Sequence, residues 1–492
     1  MLFEAFKKNR ENFPNAPAIM IAAGDRYLPI AWRQFTDDIN DISFIIRRHC
    51  PGAVIALIGE NSYEWMVSHA AIIFSGAVAL PLDVNLSAEA IVARMTKVGA
   101  KVLVHSALYA EKAAKVQQLL RNALVVSFGS RKTTVFLESL KLAPVGDKTL
   151  LFDMPAPDVN KTAMIVFTSG TTAEPRGVEL SIRGLECFAE LTEKRLDMKC
   201  GDKSLMLLPL FHIYGMAATY AMLAQGVALG VCPDYRRIFD AVMRFNARFL
   251  FMVPALADIL AAKIERRSAS VESALGFSID WICTGGAPIS LRTHERLVAL
   301  GVKMLGAYGL TETSAVFSMS DLHDEMRPCS AGKICDFAGI EVKVSESGEL
   351  MVRGPNVFKG YFGEDAMLKA TKDSQGWFST GDTGRIDEDG YVWITGRMSR
   401  TIVLSTGKKV APEELEAKIL MHPGISEVLV TGNGDAREIT AEVYADISDG
   451  EVYNAIAAIN HALPVYMRIK RVVVRKEPFP RTSSGKICFA QK

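Results

Sequence analysis

Hydroxyl, glycine and cationic residues converge in the stretch VFTSGTTAEPRGV at positions 166–178, and these residue types bind polyphosphate. An apolar run at 164–167 predicts a buried strand that leads into this stretch. Glycine lets backbone N–H groups approach an anion, the hydroxyls donate further hydrogen bonds, and a guanidinium adds positive charge. No Gly-Lys-Ser/Thr opens a helix here, so the stretch is not a Walker loop. We therefore predict a phosphate-binding loop, the alternative being an ordinary polar turn.

A second cluster of chemical groups follows an apolar strand that begins near residue 303. Within GAYGLTETS at 306–314, an aromatic ring, a hydroxyl and a carboxylate stand within five positions, at Tyr308, Thr311 and Glu312. Tyr308 is suited to stack on a base, Thr311 to bond a phosphate, and Glu312 to hold Mg²⁺ through oxygen. The alternative is a polar loop with a structural tyrosine.

Four further stretches carry candidate groups. A tight turn predicted at 377–382 ends in Asp382, a carboxylate suited to gripping two ribose hydroxyls. GGAPIS at 285–290 predicts a strand-to-helix turn with room for a flat ligand. His212 stands alone in the apolar LPLFHIYG, where spacing alone favours a buried core histidine. Lys486 in PRTSSGK is a cation on a glycine-containing loop, suited either to reach a distant site or to lie on the surface.

The composition excludes some functions and sets the scale of the fold. A chain of 492 residues, 49% hydrophobic and 23% charged, exceeds a single core and predicts two or more folding units. A net charge of +1 gives no basic footprint for nucleic acid. The 8 cysteines have no C-x-x-C spacing, so we predict buried thiols in a reducing compartment, without disulfides or a metal site.

No targeting or membrane-spanning segment is predicted. The first ten residues lack the apolar core of a signal peptide. The stretch 205–232 carries no charged residue, but Pro209, His212, Gly215 and Gly226 interrupt it. Hydropathy alone leaves a spanning helix open, and we favour a buried strand, turn and helix around a lined cavity. Peripheral membrane contact is compatible with an oily substrate.

The elements that must position these groups follow an α/β pattern. Apolar runs at 54–59, 76–82 and 101–104 alternate with helix-length segments, which predicts a parallel sheet covered on both faces. Helices are predicted over 28–40, entered through Pro29, and over 180–197.

The texture of the sequence changes in its last third. From about residue 332, short strands with frequent glycine predict a small antiparallel β subdomain. Beyond a boundary near Arg397 to Arg400, we predict a separate unit with helices at 410–421 and 451–462 and strands at 427–431, 439–445 and 471–475.

The order and spacing of these clusters resemble the adenylate-forming superfamily of acyl-CoA synthetases, adenylation domains and luciferases. The resemblance covers nearly the whole chain and rests on TSGTTAEPRGV, LPLFHIYG, GGAPIS, GAYGLTETS, STGD, GYVWITGR, STGKKVAPEELE and PRTSSGK. GPNVFKGYF and IVLSTGKKVAPEELE look most like the fatty acyl-CoA ligase branch. The implied fold is α/β, with a large N-terminal domain at 1–396 of parallel α/β sheets and a small β-barrel-like subdomain at about 330–396. A smaller α+β C-terminal domain at 397–492 is implied to move on a hinge.

The resemblance also implies roles for residues by position. Those implied to bind ATP or AMP are Thr168, Ser169, Gly170, Thr171, Thr172, Arg176, Gly286, Ala287, Tyr308, Gly309, Thr311, Glu312, Asp382, Arg397 and Lys486. Those implied to take part in catalysis are Thr168, His212, Glu312 (through Mg²⁺), Arg397 and Lys486. The implied acyl pocket is lined by His212, Gly215, Gly285, Gly306 and Ala307. Gly407 and Lys408 are implied to face the thiol, and Ser399 to lie at the hinge.

The reaction that the resemblance implies has two halves and uses ATP, Mg²⁺ and coenzyme A. A medium- or long-chain fatty acid, or an aromatic acid, forms acyl-AMP, and coenzyme A then takes the acyl group as a thioester. One alternative is an acyl-AMP ligase that loads a carrier-protein phosphopantetheine; another is a non-catalytic lipid- or nucleotide-binding relative. We expect a cytoplasmic monomer or homodimer with no nucleic-acid partner.

Some positions depart from the family pattern. Ala173 stands where Gly is usual and Arg176 where Lys is usual. Arginine keeps the charge without the point geometry of an ammonium, so we expect ATP binding to survive. Ser399 and Arg400 stand where many relatives carry Lys or Asp followed by an acid, which leaves the details of the hinge open.

Overall fold

The computed structural model describes residues 1–24, 26–128, 151–168, 175–232, 237–268, 270–404, 408–432 and 438–480. The strands are β1 (Pro17–Ala23), β2 (Arg26–Ala31), β3 (Val54–Ile58), β4 (Val78–Pro81), β5 (Val102–His105), β6 (Leu124–Ser127), β7 (Thr162–Thr168), β8 (Arg176–Ser181), β9 (Lys203–Met206), β10 (Ala228–Val231), β11 (Phe249–Met252), β12 (Trp281–Thr284), β13 (Lys303–Tyr308), β14 (Ser318–Met319), β15 (Lys333–Ile334), β16 (Glu341–Val344), β17 (Glu349–Arg353), β18 (Gly360–Tyr361), β19 (Phe378–Ile386), β20 (Val392–Arg397), β21 (Ile402–Val403), β22 (Lys409–Val410), β23 (Ile425–Gly432), β24 (Ile439–Ala445) and β25 (Ile469–Arg475). The α-helices are α1 (Leu2–Asn12), α2 (Trp32–His49), α3 (Tyr63–Phe74), α4 (Ala88–Lys97), α5 (Ala110–Leu119), α6 (Ile182–Arg195), α7 (Ile213–Ala224), α8 (Ile238–Phe245), α9 (Pro254–Glu265), α10 (Val271–Leu275), α11 (Leu291–Ala299), α12 (Asp365–Thr371), α13 (Pro412–Leu420) and α14 (Asp449–Ala462).

The largest sheet has the strand order β18-β8-β7-β4-β3-β5-β6. Its centre, from β7 to β6, is parallel, as the sequence predicts. Alternate residues of β3 enter different hydrophobic cores, Ile55 and Leu57 on one face and Ala56 and Ile58 on the other. Both faces are therefore covered. The edge is antiparallel, because a short loop joins β7 to β8 and cannot make a parallel crossover.

A second sheet brings two site-bearing strands together. Its order is β11-β12-β13-β14-β15, with parallel pairing from β11 to β13 and antiparallel pairing beyond. The carboxyl end of β12 leads into Gly285, and the neighbouring β13 ends at Tyr308. Adjacent parallel strands end at the same edge of a sheet, so these two candidate stretches lie side by side.

The helix predicted over 28–40 is wrong at its start. Residues 26–31 form β2, an edge strand of the sheet β2-β1-β10-β9, and α2 begins only at Trp32. An edge strand tolerates Pro29, because a missing N–H there costs no ladder hydrogen bond. The helix predicted over 180–197 is similarly late, since β8 precedes it and the Ser181 hydroxyl caps α6 at the N–H of Gly184.

The antiparallel β subdomain is confirmed as a sheet with the order β16-β17-β19-β20. The predicted range of about 330–396 is less uniform, because β15 and β18 pair with the other two sheets. The prediction that Asp382 follows a tight turn is wrong. Asp382 lies inside β19, directly after Gly381, whose φ of +74° kinks the strand.

The C-terminal residues form a sheet and hydrophobic core of their own. β23, β24 and β25 pair in that order, with α13 and α14 packed against them. The core includes Leu415 and Ile419 of α13, Val443 of β24 and Val452 of α14. The predicted α+β unit is confirmed, and its boundary at 396/397 stays a prediction.

The apolar stretch 205–232 forms the end of β9, α7 and β10, as predicted. In the described part of the chain, no helix is long and apolar enough to cross a membrane. None of the described cysteines forms a disulfide, and Cys187, Cys283 and Cys335 are buried. The prediction of burial is wrong for Cys200 and Cys329, which are exposed in the connections between elements.

Candidate active site

Strands β7 and β8 hold the two ends of the predicted phosphate loop opposite each other. Thr168, the last residue of β7, pairs across the hairpin with Arg176, the first of β8. The predicted ligands between them, Ser169, Gly170, Thr171 and Thr172, lie outside the described residues, as does Ala173.

Arg176 is held at the mouth of this hairpin by two neighbours. Its guanidinium carbon lies 5.7 Å from the centre of the Tyr361 ring, and its Nε lies 3.7 Å from Oε2 of Glu364. Glu364 also makes a 2.7 Å ion pair with Lys97. The Arg176 guanidinium is therefore positioned beside the loop, and it is not buried in a close ion pair.

Tyr361 connects Arg176 to Glu312. The Tyr361 hydroxyl donates a 3.0 Å hydrogen bond to Oε1 of Glu312, which lies in a short 3₁₀ turn after β13. Burial and the adjacent Glu312 carboxylate raise the pKa of Tyr361 well above its ordinary value, so this hydroxyl keeps its proton. The backbone carbonyl of Glu312 also accepts a 2.8 Å hydrogen bond from the N–H of Phe358.

The position of Glu312 fits a nucleotide-bound Mg²⁺. Within the described ranges, no three or more His, Cys, Asp or Glu side chains cluster in a way that would hold a metal alone. Mg²⁺ is commonly held by one or two carboxylates together with substrate phosphates and water. A partly exposed carboxylate beside Arg176 and the phosphate hairpin has the chemistry of that donor set.

The turn that carries Thr311 and Glu312 is folded back tightly. Ser314 and Ala315 adopt left-handed backbone conformations, with φ of 51° and 79°, which cost non-glycine residues free energy. A Cβ built on Gly309 would stand 2.3 Å from the carbonyl carbon of Ala315, so only glycine fits there. Gly309 is therefore required by the fold of the turn, which fixes Glu312 relative to Tyr308.

Tyr308, Asp382 and Arg397 converge from three distant positions in the sequence. Asp382 is 3% exposed. Its Oδ2 accepts a hydrogen bond from the Tyr308 hydroxyl, and its Oδ1 lies 2.6 Å from Nε of Arg397. Asp382 and Arg397 face each other in the β19–β20 register, which explains why the pair forms. We call these three residues the Asp382 cluster.

The remaining predicted nucleotide contacts lie after β12 and in the turn after β13. Gly286 and Ala287 follow β12 and are exposed, and Gly286 has a φ of +79° that favours glycine. Thr311 is partly buried in the turn beside Glu312. Gly286 and Tyr308 stand at the carboxyl ends of the neighbouring parallel strands β12 and β13.

His212 and Gly215 lie at the start of α7. His212 precedes the helix as its N-cap, is partly buried, and has its ring 4.7 Å from that of Phe211. A Cβ built on Gly215 would stand 2.2 Å from the carbonyl oxygen of Pro209. The glycine therefore allows α7 to pack closely on the segment before it.

The two glycines from the second sheet also face close neighbours. A Cβ on Gly306 would stand 2.4 Å from the carbonyl oxygen of Ser330. A Cβ on Gly285 would stand 3.1 Å from both the Tyr214 ring and the carbonyl oxygen of Ala307. Ala307 itself is buried. At each of these glycines the direction in which a side chain would point is therefore occupied, and the assignment to the acyl pocket stays a prediction.

Near Ser399, the predicted hinge residue, a second charged cluster forms around Arg400. Arg400 donates to Oε1 of Glu413 at 2.9 Å, to Oε1 of Glu416 at 2.5 Å and to the carbonyl oxygen of Val430 at 3.3 Å. Ser399 is exposed in the 3₁₀ turn Met398–Arg400, which also contains Arg400. We call Arg400, Glu413 and Glu416 the Arg400 cluster.

The remaining C-terminal candidates separate into described and undescribed residues. The Nζ of Lys408 lies 4.1 Å from the centre of the exposed Tyr466 ring. Gly407 and Lys486 lie outside the described residues. The structure thus brings Tyr308, Asp382 and Arg397 together and Arg176 near Glu312, and it does not describe the position of Lys486.

Sequence reasoning assigned no role to Tyr361 or to the partners of Arg400, and it counted Tyr214 only among the lining residues at 212–219, without its contacts. Tyr361 lies within the quoted motif GPNVFKGYF, so the motif gave its location but not its partner. Tyr214 is the neighbour of the predicted Gly215, and its contact with Gly285 joins elements about 70 residues apart in sequence, as its hydrogen bond to Cys283 also does.

Two family models, several solved structures and several curated proteins are similar to this chain. The family model described as AMP-binding enzyme matches residues 6–362, and the model described as AMP-binding enzyme C-terminal domain matches residues 399–491. The ATP-bound structure of MatB from Rhodopseudomonas palustris superimposes with a TM-score of 0.84 at 25% identity, covering 99% of this chain and 96% of that one. This agreement confirms the α/β fold with a large N-terminal and a smaller C-terminal domain.

Curated relatives are named as CoA ligases. A probable CoA ligase of Humulus lupulus is 30% identical over 349 residues, which cover 66% of this chain and 62% of that protein's length. A peroxisomal OPC-8:0-CoA ligase of Arabidopsis thaliana is 28% identical over 468 residues, covering 89% of this chain and 82% of the relative.

Proposed function

This chain belongs to the AMP-binding enzyme family, within the adenylate-forming superfamily that its motifs resemble, and from that premise we propose that it is an acid–thiol ligase. A carboxylic acid attacks the α-phosphorus of ATP, forming acyl-AMP and releasing pyrophosphate. The sulfur of coenzyme A then attacks the acyl carbon, forming a thioester and releasing AMP. The names of the relatives support coenzyme A as the acceptor.

One observation carries the proposal: the Asp382 cluster lies close to the Glu312 turn and uses residues 308, 382 and 397. A ribose needs a carboxylate that accepts from two hydroxyls, and an adenine needs a flat aromatic neighbour. Asp382 and Tyr308 supply both groups in direct contact. We assign the ribose to Asp382, the adenine to the edge formed by Gly286, Ala287 and Tyr308, and the reach toward ribose or phosphate to Arg397.

The phosphates are assigned to the hairpin between β7 and β8. Thr168, the loop residues after it and Arg176 would surround the β- and γ-phosphates, and Thr311 would bond the α-phosphate. Glu312 would hold Mg²⁺, which supplies charge neutralisation to the phosphates when bound. Arg176 and Glu312 share Tyr361 as a neighbour, so the cation and the metal-binding carboxylate would act on the same triphosphate.

Charge repulsion is the main barrier in the first half-reaction, because an anionic acid must approach a polyanionic nucleotide. Arg176, a residue of the large domain, stands beside the phosphate loop. Lys486, from the C-terminal tail, would neutralise the carboxylate and α-phosphate together. His212 would form one wall beside the reacting carboxylate. This reaction route needs no covalent nucleophile from the protein.

In the second half-reaction, the C-terminal domain would rotate at Ser399, withdraw Lys486 and present Gly407 and Lys408 to the thiol. Such rotations are absorbed at a few residues near a domain boundary. The two clusters that flank Ser399 support this residue as the site of rotation. Arg397 pairs with Asp382 of the large domain, whereas Arg400 bonds to Glu416 of the small domain.

The substitution Lys486→Ala tests the proposal. We expect acid-dependent pyrophosphate release to fall by about 10²–10³-fold, the usual effect of removing a group aimed at transition-state charge. Thioester formation from supplied acyl-AMP should change only a few-fold, since that step does not use the lysine. Both rates are measured by single-turnover assays.

Lys476→Ala is the matched control, because Lys476 is an exposed cation shortly before the same tail. It should leave both rates near those of the parent protein. Acyl-AMP formation by Lys486→Ala at the parent rate would overturn the assignment. Acyl-AMP consumed by holo carrier protein but not by coenzyme A would instead favour the carrier-loading alternative. Background ATP–pyrophosphate exchange over a broad acid panel would favour a non-catalytic relative.

A further inference from the structure

One hydrogen bond of the Asp382 cluster crosses from one sheet to another. The donor, the Tyr308 hydroxyl, belongs to β13 of the second sheet, and the acceptor, the Asp382 carboxylate, belongs to β19 of the antiparallel subdomain. The two strands lie in different sheets. The placement of Tyr308 against Asp382 therefore depends on how these two sheets are held together.

Strand β15 connects the two sheets. On one side it pairs with β14, which pairs in turn with the end of β13 at Tyr308. On the other side, three backbone hydrogen bonds of 2.8–2.9 Å join residues 331–334 to residues 390–392, at the start of β20. We call this second contact the subdomain interface. β20 then pairs with β19 and places Arg397 opposite Asp382.

Arg195, the last residue of α6, holds β14 and β15 together. Its guanidinium donates to the carbonyl oxygens of Met319 in β14 and of Lys333 and Ile334 in β15, each at 2.6 Å. The residue is 5% exposed, and its guanidinium carbon lies 5.2 Å from the centre of the Phe337 ring. A guanidinium presents several donors in a rigid planar fork, so one side chain can hold several carbonyl oxygens. Arg195 is therefore bonded to both strands of the connection.

We propose that Arg195 is a positioning residue for nucleotide binding: by holding β14 and β15, it sets the placement of Tyr308 against Asp382 and so the hold of the site on the ribose of ATP. This inference rests on the proposed function, which assigns the ribose to Asp382. Arg195 acts through the backbones of the two strands. A displacement of about 1 Å in groups that position a substrate can cost on the order of 10²-fold in rate.

Lysine at position 195 would keep the charge and lose the fork. An ammonium group is a compact point charge, so it cannot hold the carbonyl oxygens of both strands in the same planar geometry. A carbonyl oxygen that is buried without a donor costs free energy, and β14 and β15 would shift to reduce that cost. Arg195→Lys therefore changes the connection and retains the charge.

The experiment measures the binding of ATP and of 2′-deoxy-ATP to the full chain by calorimetry, without any acid. The parent protein should bind ATP at least about tenfold more tightly, because the site is built to pair with the ribose hydroxyls. Arg195→Lys should reduce this preference to about threefold or less. In pyrophosphate-release assays, its KM for ATP should rise by about tenfold, with kcat within about threefold of the parent value, because the lost contact is one of uniform binding.

Arg248→Lys is the matched control. Arg248 also bonds more than one acceptor, with Nε 2.7 Å from Asp280 and Nη1 2.6 Å from Asp202, but it lies at the amino end of β12, opposite the end that leads to the site. Its variant should keep the parent preference for ATP over 2′-deoxy-ATP. Thermal melts confirm that each variant is folded at the assay temperature.

A double variant tests whether Arg195 acts through the ribose contact. Arg195→Lys combined with Asp382→Asn should bind ATP within about threefold of Asp382→Asn alone, because both changes remove the same interaction. Losses that multiply in the double variant, or an unchanged nucleotide preference in folded Arg195→Lys, would overturn the inference.

Hydrogen exchange in the parent protein provides a test that needs no variant. If the subdomain interface positions the site, nucleotide binding must stabilise that interface in return. ATP should therefore slow exchange at the amides of Ala331, Ile334 and Val392, whose N–H groups cross it. Unaltered exchange at all three amides would overturn the inference.

The outcomes separate this inference from the proposed function. A parent protein that prefers ATP over 2′-deoxy-ATP but releases no pyrophosphate with any acid would overturn the ligase assignment alone, because the binding measurements use no acid. A parent protein that releases pyrophosphate without preferring ATP over 2′-deoxy-ATP would overturn the role of Arg195 and leave the ligase assignment standing.

Discussion

The two charged clusters on either side of Ser399 use the same chemistry in different surroundings. In the Asp382 cluster, a carboxylate side chain that is 4% exposed holds an arginine that is 43% exposed. In the Arg400 cluster, the arginine is itself only 19% exposed and has two carboxylates and a backbone carbonyl as acceptors. One cluster thus has its cation in solvent, and the other has its cation enclosed.

This difference separates a binding site from a structural joint. An exposed cation can leave its partner at little cost, because water replaces the lost contact. The Asp382 carboxylate can therefore exchange contacts when ribose hydroxyls arrive. Removing Arg400 would leave two partly buried carboxylates without their cation, which is costly. We infer that the Asp382 cluster binds ligand and that the Arg400 cluster keeps α13 attached to the hinge turn.

The largest effect is expected from Asp382→Asn. The neutral amide loses the charge-assisted hydrogen bonds to ribose, so kcat/KM for ATP should fall by about 100-fold. The melting temperature should change little, because the Arg397 side chain already contacts solvent. Steady-state pyrophosphate release with varied ATP measures the first quantity.

Asp387→Asn is the control for Asp382→Asn. Asp387 follows the same strand and accepts hydrogen bonds from Arg327 and Trp393. It should affect stability more than ATP use. An Asp382→Asn protein with the parent kcat/KM for ATP would remove the distinction between the two clusters.

A smaller effect, on stability and not on ATP use, is expected from Arg400→Ala. The free energy of unfolding should fall by about 2 kcal/mol, less than for a fully buried pair because the cluster is partly exposed. ATP affinity, measured by calorimetry, should stay within about threefold of the parent value. Urea unfolding gives the stability, and Arg400→Lys should recover part of it. A loss of ATP affinity with unchanged stability would mean that Arg400 acts on the nucleotide.

Much of the fold follows from local patterns in the sequence. The strand predicted at 439–445 is β24, because alternating apolar residues and flanking polar ones already specify a half-buried strand. The start of α2 did not follow from such patterns. Pro29 is equally compatible with a helix start and an edge strand, and its pairing with Met20 of β1 decides between them.

The candidate site also has features that the sequence reveals and features that it does not. The residue types at Tyr308, Glu312 and Asp382 indicate nucleotide chemistry from the sequence alone, because their order along the chain is distinctive. Sequence alone did not reveal that Asp382 is inside a strand opposite Arg397, since register depends on the whole subdomain. Nor does a glycine in the sequence show that a backbone carbonyl stands where its side chain would be, as it does at Gly215 and Gly306, whose assignment to the acyl pocket stays a prediction.

Glu413 gives the smallest and most specific test of the comparison. Its carboxylate is packed so closely on β20 that a Cβ built on Gly396 would stand 2.7 Å from Oε2 of Glu413. Burial raises the pKa of Glu413 above its ordinary 4.5, although the charge of Arg400 acts in the opposite direction. The folded protein therefore binds this proton more tightly than the unfolded chain does. The resulting stability is fully present below pH 4.5 and is lost as the pH rises through the folded pKa.

Glu413→Gln has no proton to lose at this position, so its free energy of unfolding relative to the parent protein should rise between about pH 4 and pH 7. Urea unfolding at a series of pH values measures this difference. Glu414→Gln, at the exposed neighbouring position, should give a flat difference. If Glu413→Gln instead became less stable relative to the parent as the pH rose, attraction to Arg400 would outweigh the cost of burial. Charge attraction would then hold the Arg400 cluster together, as it holds the exchangeable Asp382–Arg397 pair. The two clusters would differ only in the number of acceptors around the arginine.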